Sequence, residues 1–296
     1  MNKTRGLIYA ILAGFIYGFT PILGKLSYME GSNTLSLTFY RSLLSIPFIF
    51  GILKYKKIPL AITKQEIKKL AILSSLGPSL TAITLYGAYN YISVGMTTTI
   101  HYIYPVLVAA VSVIIFKEKI SKEKILALVL STIGVALFFE GSFSIVGVIL
   151  ALLSGVIYGA HLLYIDKSGL NAMYPFKISL FLSAFASIYM FIFGMISKTL
   201  VFNMSIKGWI YTLLVSIFVS VLANTLITMA VKNVGPTVTA IVGMFEPITS
   251  ILLGIILLNE PFTLKNIFAC ILILTGVLII TLIKEEKVKI KTVLSK

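Results

Sequence analysis

Acidic residues are scarce: ten Asp and Glu stand among 296 residues, against twenty-five Lys and Arg. Charged residues of both signs make up only 12% of the chain, far too little for the surface of a soluble globule of this size. The single cysteine, Cys270, sits in an apolar run, which excludes a disulfide framework and a multi-cysteine metal site and leaves buried packing as its role. The two histidines, His101 and His161, do not have metal-ligand spacing. No glycine-rich phosphate loop ending in lysine occurs, so the chain cannot couple directly to ATP. With no recognisable catalytic constellation either, we expect neither an enzyme nor a bound cofactor or metal.

What is present is hydrophobic. Apolar residues form 58% of the chain and the mean hydropathy is +1.02, in runs of helix length rather than the ten-residue dyads of an outer-membrane barrel. Runs bounded by charge, glycine and polar clusters place spans at about 5–28, 33–54, 68–90, 94–116, 122–139, 144–166, 174–197, 206–231, 235–258 and 264–283. The first run, Gly6 to Leu23, is too long for a signal-peptide core and is read as a span. Ten spans put both termini on one side. Of the lysines and arginines, twenty then fall on that side, four on the other, and Arg41 lies inside the second span. This bias predicts cytoplasmic termini in a cytoplasmic (plasma) membrane. The net charge of +15 therefore reflects topology and contact with anionic lipid, and no nucleic acid partner is expected.

The chain repeats itself. Gly6, Ala10, Gly14 and Gly18 recur as Gly147, Ala151, Gly155 and Gly159, with GFIYG matched by GVIYG. Small residues every four positions form a flat ridge that lets a neighbouring helix approach closely. Pro105, Glu118 and Gly134 recur as Pro247, Glu260 and Gly276, each displaced by 142. Five spans per half is odd, so the halves must run through the membrane in opposite senses. We read residues 1–140 as one five-helix repeat, 141–284 as its inverted copy and 285–296 as a basic cytoplasmic tail. Inverted repeats with a site near the midplane are a transporter architecture.

The stretch GPTVTAIVGMFEPITSILLGIILLNE, 235–260, carries Glu246-Pro247 near its midpoint. An acid at that depth costs at least about 2.5–3.5 kcal/mol and marks a solute or proton path by default. The proline leaves a carbonyl near Gly243 without its helical partner, free to bind a ligand where it lines a cavity. In the first half, Tyr104 stands where Glu246 stands.

These residues carry a family resemblance. Each half resembles the EamA repeat of the drug/metabolite transporter superfamily: Tyr17-Gly18 and Tyr158-Gly159 in the first span, Arg41 in the second, and the endings YPVLVAAVSVIIFKE and EPITSILLGIILLNE. The resemblance implies ten helices in an inverted five-plus-five repeat, with a cavity lined mainly by the first, third, fourth, sixth, eighth and ninth. It also implies export of amino acids or other metabolites. Two departures stand out: Tyr104 replaces the glutamate common in the repeat, and the second half has no evident counterpart of Arg41.

The expected function is secondary active transport of a small organic solute, such as an amino acid or amine, by alternating access. Glu246 is the expected site of proton coupling, because protonation and solute binding would compete for one carboxylate. The alternative is a packing carboxylate between helices. Tyr17, Tyr86, Tyr89, Tyr104 and Tyr158 lie inside spans, where they either pack or contact the solute by cation–π or stacking interactions. His101 either donates to a helix carbonyl or titrates, and His161 lies at an inner vestibule or an interface. Asn224 and Thr228 bind solute or join helices. Arg41 is read as structural, tied to carbonyls or lipid phosphate. Glu118 and Glu260 cap or pair near loops, and Asn203-Met204-Ser205 is a weak glycosylation triplet. Rival functions are uptake of a cationic nutrient such as choline, a lipid or lipid-carrier flippase, and a non-transporting scaffold. A monomer is the default, and a dimer through lipid-facing helices is compatible.

Overall fold

A computed structural model describes residues 2–92, 94–137, 144–258 and 263–282, so Glu260 and the basic tail lie outside the described residues. The described residues are helical with no strand: α1 Lys3–Tyr17, α2 Thr20–Met29, α3 Thr34–Tyr55, α4 Lys64–Ser74, α5 Ala82–Ala88, α6 Val94–His101, α7 Tyr104–Ile114, α8 Lys122–Ala136, α9 Ile145–Lys167, α10 Pro175–Ser197, α11 Ile206–Val215, α12 Asn224–Gly243, α13 Glu246–Leu258 and α14 Leu264–Leu282. Widened π-helical segments, π1 Ser75–Thr81 and π2 Ser216–Ala223, join α4 to α5 and α11 to α12. Among the described residues, eight helical stretches are long and apolar enough to cross a membrane. One of them, Ile206–Gly243, exceeds a single crossing, and Gly235 interrupts it at φ 79°, ψ 168°, a conformation open to glycine and strained for other residues.

Helix starts follow from local chemistry. Asn2, Asn33, Thr63, Ser121 and Ser205 each accept a hydrogen bond from the backbone N–H three residues on, satisfying donors that a helix leaves unpaired. At Thr63 the bond is reciprocal, since Glu66 reaches back to the Thr63 N–H at 2.7 Å. Ser205, the third member of the glycosylation triplet, is thus occupied as a cap and also donates to Glu30 at 2.5 Å.

The polarity of a soluble protein is reversed. Large apolar side chains such as Ile8, Leu12 and Phe15 of α1, or Ile149, Leu153 and Val156 of α9, face outward, while many serines and threonines are buried. Those hydroxyls join helices: Ser45 and Ser183 meet at 2.8 Å between α3 and α10, Ser27 and Thr212 at 3.0 Å between α2 and α11, and Ser179 and Thr225 at 2.7 Å between α10 and α12. In a bilayer, where apolar contact gives helices little preference for each other over lipid, such bonds contribute about 0.6 kcal/mol each.

The small-residue ridges show how the halves interlock. A Cβ on Gly14 would touch the Glu246 N and the Gly243 O of the second half, at 3.4 and 3.5 Å. On Gly155, the matching glycine, it would lie 2.6 Å from the His101 O of the first half. Each half therefore lays its first helix against the proline break of the other, and α3–α10 and α8–α14 pair equivalent helices in the same way.

At one end of the molecule Lys167, closing α9, pairs with Glu118 at 2.6 Å and Asp166 at 3.0 Å and lies 4.7 Å from the centre of the Phe116 ring. Glu118 thus has the pairing role its position near a loop suggested. Both partners are about a third exposed, so Lys167→Ala is expected to shift stability by no more than about 1 kcal/mol. A thermal melt in detergent checks this, and a larger loss would mean that the cluster holds the helices together.

Candidate functional site

Proline dictates where the central helices break. Pro105 and Pro247 cannot donate to the preceding turn, and the chain departs from helix just before them, at residues 102–103 and 244–245. Tyr104 and Glu246 consequently open α7 and α13 at equivalent points. The expected free carbonyl is found at Gly243, where it accepts from the Tyr102 hydroxyl at 3.5 Å.

Glu246 is half-buried and lines a cavity of about 80 Å³ with Tyr17, Tyr86, Tyr89, Tyr158, His101, His161, Asn224 and Arg41. Thr20, Thr81, Gly77 and Pro78 complete much of the wall. Eight of the ten candidate residues thus share one hollow. Tyr104 stands behind it, its ring edge-on to Tyr158 at 4.8 Å, and the Thr228 hydroxyl turns back to the Asn224 carbonyl at 3.0 Å. A volume of 80 Å³ is well below the roughly 300–1,000 Å³ of a typical ligand pocket, so this conformation is contracted around the site. A larger recess, about 480 Å³, lies among Ile58, Glu66, Lys69, Met173 and Lys177 away from Glu246. Its lysines are committed to backbone carbonyls, Lys177 to Ala61 and Lys69 to Ser168, each at 2.6 Å.

The wall is positioned by hydrogen bonds with assignable direction. Tyr17 donates to Asn224 Oδ1 at 2.6 Å, fixing the amide so that its NH₂ remains available. Ser154 donates its only proton to the Ala151 carbonyl at 2.7 Å, so the neutral His101 ring must donate from Nδ1 to Ser154 Oγ at 2.8 Å. Its Nε2 is then an acceptor. His161, only 5% exposed, donates from Nδ1 to the Leu73 carbonyl at 3.2 Å and stacks on Tyr158 at 5.9 Å. It is therefore inside the bundle and not in an interfacial belt. Gly77 makes this possible, since a Cβ there would collide with the His161 ring.

Arg41 departs most from its sequence reading. It is tied to a carbonyl, as anticipated, but it is 3% exposed and lines the same hollow as Glu246. Its Nη2 donates to the Pro78 carbonyl at 3.0 Å in π1 and its Nη1 to Ser220 Oγ at 3.3 Å in π2. Pro78 and Ser220 are 142 residues apart, the spacing of the repeat, so one guanidinium spans matching points of both halves. Nothing in the sequence places residues 41, 78 and 220 together. Tyr102 was likewise hidden among fifteen tyrosines, although its place beside the Pro105 break was a usable signal.

Membrane-length helices with outward apolar faces, two breaks at matched prolines and a hollow holding a carboxylate define a multi-pass membrane transporter. The chain belongs to the EamA-like transporter family, whose model matches twice, over residues 4–140 and 145–282. It is similar to the "Uncharacterized transporter YetK" of Bacillus subtilis (strain 168), 25% identical over 97% of this chain and 90% of that protein. The "Uncharacterized transporter YvbV" of the same organism is 28% identical over 64% of each chain, so that match spans under two thirds of the relative. An "Uncharacterized transporter" of Clostridium kluyveri is 21% identical over 93% of this chain and 92% of its own. One crystal structure superposes with a TM-score of 0.82 over 95% of this chain and 98% of the other at 13% identity, a likeness of fold alone. Together the family and these relatives indicate a transporter rather than an enzyme.

Proposed function

We propose that the protein is a proton-coupled secondary transporter that exports a small organic metabolite, an amino acid or related amine, from the cell. The observation that carries this reading is the Glu246 carboxylate, set at a helix break and exposed to a hollow of hydroxyls, imidazoles and a guanidinium. A carboxylate there binds either a proton or a cationic group of the solute, and this competition couples the two fluxes. In this reading ten spans form two inverted repeats, 1–140 and 141–284, in the plasma membrane with both termini and the tail 285–296 in the cytoplasm. The mutual docking of each ridge on the other half's break supports it, because alternating access needs two bodies that rock about a shared site. The contracted hollow must widen as the halves separate.

A second reading, uptake of a cationic nutrient such as choline, draws support from the tyrosines. Tyr17, Tyr86, Tyr89 and Tyr158 share the hollow with the acid, as a cation–π cage requires. Arg41 opposes it, since a fixed cation in the hollow repels a purely cationic solute.

The test is flux into vesicles reconstituted with the purified full chain, using radiolabelled amino acids, amines and choline under an imposed pH gradient. At least one amino acid or amine is expected to move faster than in protein-free vesicles, and faster with the gradient than without. Flux equal to protein-free controls for every solute would remove the transport reading.

A further inference from the structure

The hollow contains donors without acceptors. Arg41 Nε has no hydrogen-bond partner among the described residues, although the side chain is 97% removed from solvent. Thr20 Oγ1, on the same wall, is likewise unpartnered in a residue only 6% exposed. Buried donors are normally satisfied, and a buried guanidinium without an acid against it is costly to hold. The two ion pairs among the described residues both belong to Lys167, so Glu246 does not neutralise Arg41 by contact. Both groups nevertheless line the same hollow, with Tyr17 and Tyr86 on its wall. The chamber thus holds a fixed cation and an acid that face common space without touching.

Resting on the transport reading above, we propose that Arg41 and Thr20 form a carboxylate-binding subsite, so that the solute is a zwitterion with its carboxylate at Arg41 and its ammonium at Glu246. A guanidinium offers planar donors that match a carboxylate oxygen, and Nε–H is the unpartnered one here. Nη1 and Nη2 are already anchored to Ser220 and Pro78, so the guanidinium is held in place before the solute arrives. The Thr20 hydroxyl adds a neutral donor that can complete the carboxylate's hydrogen bonds. At the other end, the Glu246 carboxylate and the tyrosine rings suit an ammonium. Because Arg41 bridges equivalent points of the two repeats, a carboxylate bound there also contacts the place where the halves must move. A simple amine fills one end and leaves the buried cation unmatched.

The experiment compares three forms of one solute on the wild-type chain: a panel of neutral L-amino acids, their methyl esters and their decarboxylated amines, by calorimetry and thermal shift in detergent. At least one amino acid is expected to bind tenfold or more tighter than its ester and amine. Arg41→Gln is expected to bring acid and ester within about twofold of each other, and Thr20→Val to narrow the ratio by a smaller factor. Should Arg41→Gln fail to fold, the wild-type series and Thr20→Val still decide. An amine or choline binding as tightly as every zwitterion overturns the proposal, as does a folded Arg41→Gln protein with an unchanged ratio. Flux of amines alone in the reconstituted vesicles also overturns it while leaving the transport reading in place. No flux of any solute removes both.

Discussion

Glu246→Gln is expected to abolish the response of transport to an imposed pH gradient, cutting gradient-driven flux by at least about tenfold, equivalent to about 1.4 kcal/mol. Glutamine keeps the shape of the side chain, and the break is imposed by Pro247, so the α13 start and the break before it stay intact. What it removes is the exchangeable proton and the negative charge. The groups facing that charge across the hollow are the hydroxyls of Tyr17, Tyr86, Tyr89 and Tyr158, the imidazoles of His101 and His161, and the Arg41 guanidinium, with the Tyr102 and Tyr104 hydroxyls beside Gly243, just before the break. Of these only the histidines ordinarily titrate near neutral pH. Both donate from Nδ1 to fixed acceptors, which leaves Nε2 as the one position for a second proton. A gradient response unchanged in Glu246→Gln would therefore move the coupling role to the histidines. Loss of the response with exchange across equal pH retained would place it on the carboxylate.

How much of this was readable in the sequence depends on the range of the interaction concerned. The breaks at Tyr104 and Glu246 were legible because proline acts on its own preceding turn, whatever packs around it. The ridges Gly6 to Gly18 and Gly147 to Gly159 were legible as ridges, since a four-residue spacing is a property of one helix. Their partners were not. That Gly155 meets the His101 backbone is settled by how two halves cross, and no local period encodes it. Arg41 shows the same limit: its contacts lie 37 and 179 residues away, so the sequence could assign it a carbonyl partner but not a place in the hollow. The π segments were missed for a different reason, because a single extra residue in a helical turn leaves the apolar pattern nearly unchanged.

These widened segments bear on how the site works. A π turn displaces backbone carbonyls from their usual donors, and Arg41 takes the Pro78 carbonyl within π1, while His161 takes the Leu73 carbonyl in the α4 turn just before it. The cationic and imidazole groups are thus held by the backbone of the third span of one half while Ser220, at the equivalent point of the other, completes the grip. Chemistry at the centre and the relation between halves share the same hydrogen bonds. In the proposed mechanism, a solute that competes for those donors acts on both.

Gly155→Ala and Gly18→Ala are expected to be among the most damaging substitutions outside the hollow. A Cβ at Gly155 would stand 2.6 Å from the His101 carbonyl and 2.8 Å from Ile103 Cγ2, and one at Gly18 would stand 2.7 Å from Thr249 Cγ2 and 3.0 Å from the Glu246 carbonyl. Neither obstacle can simply swing aside, because the crowded oxygens belong to the backbone at the two breaks. The helices must separate, and with α9 or α1 displaced the His101–Tyr158 pair or the Tyr17–Asn224 bond loses its geometry. Overpacking of this kind costs about 1–3 kcal/mol, and transport should fall further than stability because the displaced atoms adjoin the site. Gly51→Ala is the control: it lies in α3 with nothing within 4 Å of an added Cβ, so melting and flux should match wild type. Melting temperature and vesicle flux on the three variants decide the matter. If Gly155→Ala and Gly18→Ala behave like Gly51→Ala, the halves are not pressed together at their breaks, and the proposed rocking of one half against the other loses its physical basis.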